Sequence, residues 1–181
     1  MQHFNKLIIS GLILLLSSFT VAADTTPEEG KDYFTRYNFM YEKGRHLTTN
    51  YWRGTLVPIN TKVTLVSLGK KKMVLEFDGQ KVSIANVKKH SKKDMNEIAS
   101  ELLSPTATPI NKVSSQFRDD LQSGVLRIGM TKNEVLMTRG YPPGHKTPSI
   151  ESNRWTYWSS KFVQRTLVFR DGKLAEGRGI N

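Results

Sequence analysis

Between residues 37 and 85 the apolar positions alternate with polar ones in short runs broken by turn residues, the signature of half-buried strands. Tyr37, Phe39 and Tyr41 form the first stripe, Leu47 to Trp52 reads as extended, and Thr55-Leu56-Val57 is stopped by Pro58. Val63 and Leu65 alternate within Lys62 to Ser67, as do Met73, Leu75 and Phe77 within Lys72 to Phe77. Asp78-Gly79 then turns the chain into Lys81 to Ala85, where Val82 and Ile84 alternate; an Asp-Gly pair between two such runs predicts a two-residue hairpin.

The period changes after Ser91. Met95, Ile98, Ala99, Leu102 and Leu103 fall on one side of a helix, with Ser91 as the expected N-cap. Pro105-Thr106-Ala107-Thr108-Pro109 has no apolar period and few donors, which reads as a linker. Val113, Phe117 and Leu121, spaced by four, predict another helix closed by Gly124. Thr131 and Glu134 form a Thr-x-x-Glu capping box, so a helix starts near Thr131 and is halted by Gly140 and the prolines behind it. Trp155 and Tyr157 share one face of an extended segment, and Asp171-Gly172 turns the strand Thr166-Leu167-Val168-Phe169 back on itself.

The fold class expected from this order is α+β. Residues 1–23 read as a signal peptide and 24–31 as a disordered lead-in; 32–104 form a small β-rich, SH3-like barrel domain with a C-terminal helix; 105–112 are the linker; 113–181 form a second domain of two short helices and an antiparallel sheet. The reading of 1–23 rests on Lys6, the apolar run from Leu7 to Leu16, and the small residues Val21-Ala22-Ala23 at the cleavage position. The competing reading, an uncleaved anchor, is at the short end of spanning lengths and is interrupted by Ser10, Ser17, Ser18 and Thr20.

The C-terminal third resembles the SmpA/OmlA (BamE-like) family of small outer-membrane lipoproteins. The resemblance rests on Gly129-Met130-Thr131, Val135, Gly140 and Pro142, Trp155 and Tyr157, and Phe169 with Gly172, in that order. It implies a non-enzymatic binding or adaptor role at the cell envelope, assisting outer-membrane organisation or protein assembly. The same architecture serves β-lactamase-inhibitory protein, so inhibition of a periplasmic enzyme is the alternative use. The chain departs from the family in having no cysteine. It therefore lacks the lipid attachment point, and the expected location is periplasmic, with no transmembrane span once the signal is cleaved.

Absent cysteine also removes disulfides, thiolate nucleophiles and cysteine metal sites. His46, His90 and His145 stand alone, no pair carries metal-ligand spacing, and Ser67-x-x-Lys70 lacks the partner motifs of penicillin-binding enzymes. Asp119 and Asp120 are adjacent and diverge on a helix. The expectation is no enzyme, no metal and no cofactor. A net charge of +11 changes the picture more. Lys88, Lys89, Lys92 and Lys93 form a dense cluster which, in an exported chain, would meet anionic lipid or wall polymer rather than nucleic acid; a merely solvated surface is the alternative. Partner binding is expected at Tyr141, Pro142, Pro143, His145 and Trp158, because Trp158 points away from the face shared by Trp155 and Tyr157 and an exposed tryptophan beside a proline loop makes an interface anchor. Packing of Trp158 under that loop or against the first domain is the competing reading.

Overall fold

The computed structural model describes residues 26–178 and residue 180; the segment read as a signal peptide, 1–23, and the start of the lead-in lie outside the described residues. The architecture is α+β with more strand than helix. Two hydrophobic cores divide it into two lobes.

The first lobe is a six-stranded sheet. Its strands in chain order are β1 (Asp32–Thr35), β3 (Arg45–Leu47), β5 (Lys62–Leu68), β6 (Lys72–Phe77), β7 (Gln80–Ala85) and β8 (Leu103–Ser104), and the spatial order is β3-β7-β6-β5-β1-β8. A separate ribbon pairs β2 (Phe39–Tyr41) with β4 (Thr55–Val57). The alternation read from the sequence sets the buried face: Val63, Leu65, Met73, Leu75, Val82 and Ile84 are all at most 1 % exposed. Asp78 and Gly79 both take positive φ, 49° and 69°, as the tight turn between β6 and β7 requires. A bulge after Leu65 turns Val66 outward.

Two boundaries differ from expectation. The extended reading of Leu47 to Trp52 stops at Leu47, because β3 pairs in parallel with β7 and the chain then turns, with Asn50 N–H bonding back to Leu47 O. Ser91 does not cap the long helix. It ends a one-turn helix, α1 (Lys88–Ser91), and its hydroxyl donates to Asn86 Oδ1, while Lys92 in the left-handed region breaks the chain direction. Asp94 is the cap of α2 (Met95–Leu102). Its carboxylate accepts from Glu97 N–H and its own N–H donates to Glu97, a complete capping box. α2 lays Met95, Ile98, Ala99 and Leu102 on the first core.

In the second lobe, Val113, Phe117 and Leu121 are buried but do not share one helix: Val113 is extended, Phe117 ends a 3-10 turn (Ser115–Phe117), and Leu121 lies on α3 (Arg118–Gln122), into which that turn runs. α4 (Lys132–Arg139) has the capping box read from Thr131 and Glu134, and the same Glu134 carboxylate also accepts from Ser114 N–H. Three antiparallel strands, β9 (Arg154–Ser160), β10 (Val163–Arg170) and β11 (Lys173–Gly177), complete the lobe in the order β11-β10-β9. Trp155 and Tyr157 sit in its core with Phe169 and Leu174. No helix among the described residues is long and apolar enough to cross a membrane.

The lead-in and linker are not loose where the structure describes them. Gly30 N–H donates to Leu65 O, Leu65 N–H to Lys31 O, and Leu68 N–H to Glu29, so residues 28–31 dock along β5. Asn60 clasps Thr108 from both sides, accepting from its N–H at 2.7 Å and donating to its carbonyl at 2.9 Å. Ile110 then packs on the second core. Residues 105–112 are therefore a strap over the junction of the lobes, since a segment with few donors of its own can still be held by a side chain that offers both a donor and an acceptor.

Candidate functional site

The lobes meet through buried polar groups. Asn38, with no exposed surface, donates to Leu121 O and Thr138 O of the second lobe and accepts from Ile59 N–H; its own N–H donates to Met137 O. Asn50 donates to Arg139 O and Tyr141 O. Gly140, at φ +69°, lies so close to Tyr37 that a Cβ would meet the ring at 2.7 Å, so α4 must end in glycine for the lobes to close.

The proposed anchor residues lie on this seam. Trp158 is half-buried, and its carbonyl accepts from Trp52 N–H. Its indole is stacked with His145 and His90 at 6.1 and 6.5 Å between ring centroids and meets Tyr51 edge-on. His90 and His145 stack on each other at 4.5 Å, and burial, then His145, holds the His90 imidazole below its ordinary pKa. Pro142 and Pro143 are buried. The exposed aromatic surface expected at Tyr141, Pro142, Pro143, His145 and Trp158 is thus corrected: Trp158 does point away from the core face, but the first lobe occupies the space it points into.

Tyr141 alone of these five lines an open groove. The groove, of about 820 Å³, runs between α2 and α4 and is closed at one end by the 104–109 strap. Tyr37 and Tyr141 form its floor, edge to face at 5.8 Å; Leu136 and Met137 of α4 form one wall; Glu97 and Glu101 of α2, with its cap Asp94, the other. Burial raises the Glu101 carboxyl above its ordinary pKa against the pull of Lys93, which pairs with it. Burial likewise raises the Tyr141 phenol. Arg36 is the cation among the lining residues, so the groove is a locally acidic place on a strongly basic chain.

The lysine cluster divides. Lys88, Lys89 and Lys92 are exposed around α1, but Lys93 turns inward, with its Nζ 4.5 Å from the centre of the Tyr141 ring as well as paired to Glu101. Its ammonium is committed to the seam, which leaves three of the four expected residues facing water. Sequence reasoning read Tyr37 as part of a strand stripe and did not single out Glu97 or Glu101. Their one sequence signal was the i, i+4 spacing that sets both carboxylates on one helical side. No family model matches the chain, and neither a curated protein nor a solved structure matches it.

Proposed function

We propose that the protein is a non-enzymatic binding module of the cell envelope, periplasmic after loss of its signal segment, that holds an extended basic segment of a partner protein in the groove between α2 and α4. The observation that carries this reading is the groove itself: an open channel with an aromatic floor, an apolar wall and a carboxylate wall. Such a channel offers stacking and packing to an extended backbone and Coulomb attraction to lysine or arginine side chains. The short edge strand β8 borders it at Ser104. The order of capped helix, proline loop and three antiparallel strands after Gly129 supports a BamE-like second lobe, and the run of short, mostly antiparallel strands in a small six-stranded sheet supports an SH3-like first lobe. Outer-membrane organisation or protein assembly is the role that follows.

A photo-crosslinking amino acid placed at Asn96 or Asn133, exposed residues on opposite walls of the groove, tests this in the envelope. The expected result is capture of one protein from both positions and none from Gln80, on the distant β6–β7 turn. A captured outer-membrane assembly component supports the adaptor role, and a single soluble enzyme supports the inhibitor use instead. Equal capture from Gln80, or none from the groove, overturns the reading of the groove as the site.

A further inference from the structure

A second cavity, sharing no lining residue with the groove, opens on the side of the second lobe where α4 ends against β9 and β10. Its volume is about 360 Å³, within the range of roughly 300 to 1,000 Å³ typical of small-molecule sites. Arg139, the last residue of α4, lines it and is only 9 % exposed. Its Nε is fully buried without a hydrogen-bond partner, and among the described residues no carboxylate pairs with it. A buried unpaired guanidinium is strongly disfavoured, and burial draws its pKa well below the ordinary arginine value.

What holds the group in place is a stack. The guanidinium lies 3.9 Å from the centre of the Trp52 ring, and on that ring Gly124 approaches so closely that a Cβ there would stand 2.7 Å from Trp52 Cζ2. The stack fixes the plane of Arg139 and leaves its edge donors without a matching acceptor. A second arginine faces the same space. Arg165 spends its Nε on Ser159 Oγ and Nη1 on Arg178 O, two of five donors, and pairs with no carboxylate among the described residues. No Asp or Glu lines the cavity; Arg178, Ser159 and Tyr157 also border it, and Leu126, Leu167 and Ile180 give it an apolar side.

We propose that this cavity binds a small organic carboxylate, with the carboxyl group across Arg139 and Arg165 and a short hydrocarbon body against Leu126, Leu167 and Ile180. The planar guanidinium fork matches a carboxylate in two parallel hydrogen bonds. The apolar wall favours a body of several carbons over a bare, strongly hydrated anion such as phosphate. The site is independent of the groove and of the function proposed for it.

Hexanoate, hexanol and inorganic phosphate are the probes, titrated calorimetrically into the full chain, with the Arg139 Nε–H resonance followed by nitrogen-15 NMR. Hexanoate is expected to bind saturably at one site, raise Tm, and shift the Arg139 resonance; hexanol and phosphate bind at least tenfold more weakly. Arg165→Gln, at a half-exposed position, weakens hexanoate at least fivefold without lowering the Tm of the free protein by more than a degree or two. Arg139→Gln abolishes saturable binding, and if that variant fails to fold, the wild-type resonance shift and Arg165→Gln decide. Unsaturable hexanoate binding, an unmoved Arg139 resonance, phosphate binding as tight as hexanoate, or unchanged affinity in Arg165→Gln each overturns the proposal.

Discussion

Replacing Asn38 by leucine keeps roughly the volume of the side chain and removes its polar atoms from the seam. Three contacts vanish: Nδ2 to Leu121 O at 2.6 Å, Nδ2 to Thr138 O at 3.2 Å, and Ile59 N–H to Oδ1 at 2.6 Å. Leu121 O keeps Gly124 N–H as a donor, but Ile59 N–H and Thr138 O lose the partner that Asn38 supplied. A buried group stripped of its partner costs about 1–3 kcal/mol, so the two together cost about 2–6, less the roughly 1 kcal/mol that a buried leucine returns. The expected loss is about 3 kcal/mol, a large share of the roughly 5–15 kcal/mol that holds a typical domain. Urea denaturation followed in parallel by far-ultraviolet circular dichroism and tryptophan fluorescence measures it. Wild type should unfold in one transition by both probes, and Asn38→Leu should unfold earlier, with the two probes separating as the lobes uncouple. Asn38→Asp should cost more still, because it keeps the acceptor for Ile59 but turns a buried charge toward two carbonyls. A loss below about 1 kcal/mol in Asn38→Leu, or an aspartate tolerated like the wild-type residue, would refute the view that this side chain clamps the lobes.

Two further predictions concern single side chains. His46 is buried, its ring edge-on to Phe39 and its Nδ1 2.7 Å from Met40 O, and burial lowers its pKa from 6.5 to about 4. The unfolded chain therefore binds a proton that the folded chain refuses, so this contribution is complete above pH 6.5 and is lost as pH falls toward 4; it amounts to at most about 3 kcal/mol, and in His46→Gln the difference in stability between pH 7 and pH 5 should shrink by about 2 kcal/mol, as read by urea midpoints. Trp155→Ala should cost about 3–5 kcal/mol, since the indole is fully buried against Phe169 at 4.5 Å and its Nε1 donates to Ile150 O, whereas half-buried Trp158→Ala should cost about 2; equal Tm losses would show that the two faces of β9 are not distinguished as described.

Local chemistry made much of the fold legible. The turns at Asp78-Gly79 and Asp171-Gly172, the capping box of Thr131 and Glu134, and the alternations of β5, β6 and β7 depend on neighbours within a few residues, and each is where the sequence puts it. The helix start at Asp94 was missed because Ser91 offers the same cap chemistry three residues earlier, and only the competing bond to Asn86 decides between them. The seam was illegible for a different reason. Asn38 falls on the polar side of the Tyr37-Phe39-Tyr41 stripe and Asn50 in a run read as extended, and their partners across the seam lie 83 to 100 positions away, so nothing near them in the chain marks them as buried. Trp158 was assigned to the correct side of its strand, but alternation gives a direction and not what stands in it. Arg139 reads as a basic residue suited to the end of a helix, where it would interact with the free carbonyls in water. Its burial follows from Trp52, which reaches it from the other lobe.

Ile59 follows β4 of the first lobe, yet its side chain is 5 % exposed and belongs to the core of the second. In a chain made from its N-terminus, the first sheet can assemble while Val113, Leu121 and Met130, which share the second core with Ile59, are still to emerge. An isoleucine held bare in that interval is a sticky intermediate by construction, and the second lobe in turn forms with a hole until Ile59 arrives. Final docking is then a distinct kinetic step that depends on how much chain has appeared, and holding factors that cover apolar surface would act on this protein between the folding of its two halves rather than before either.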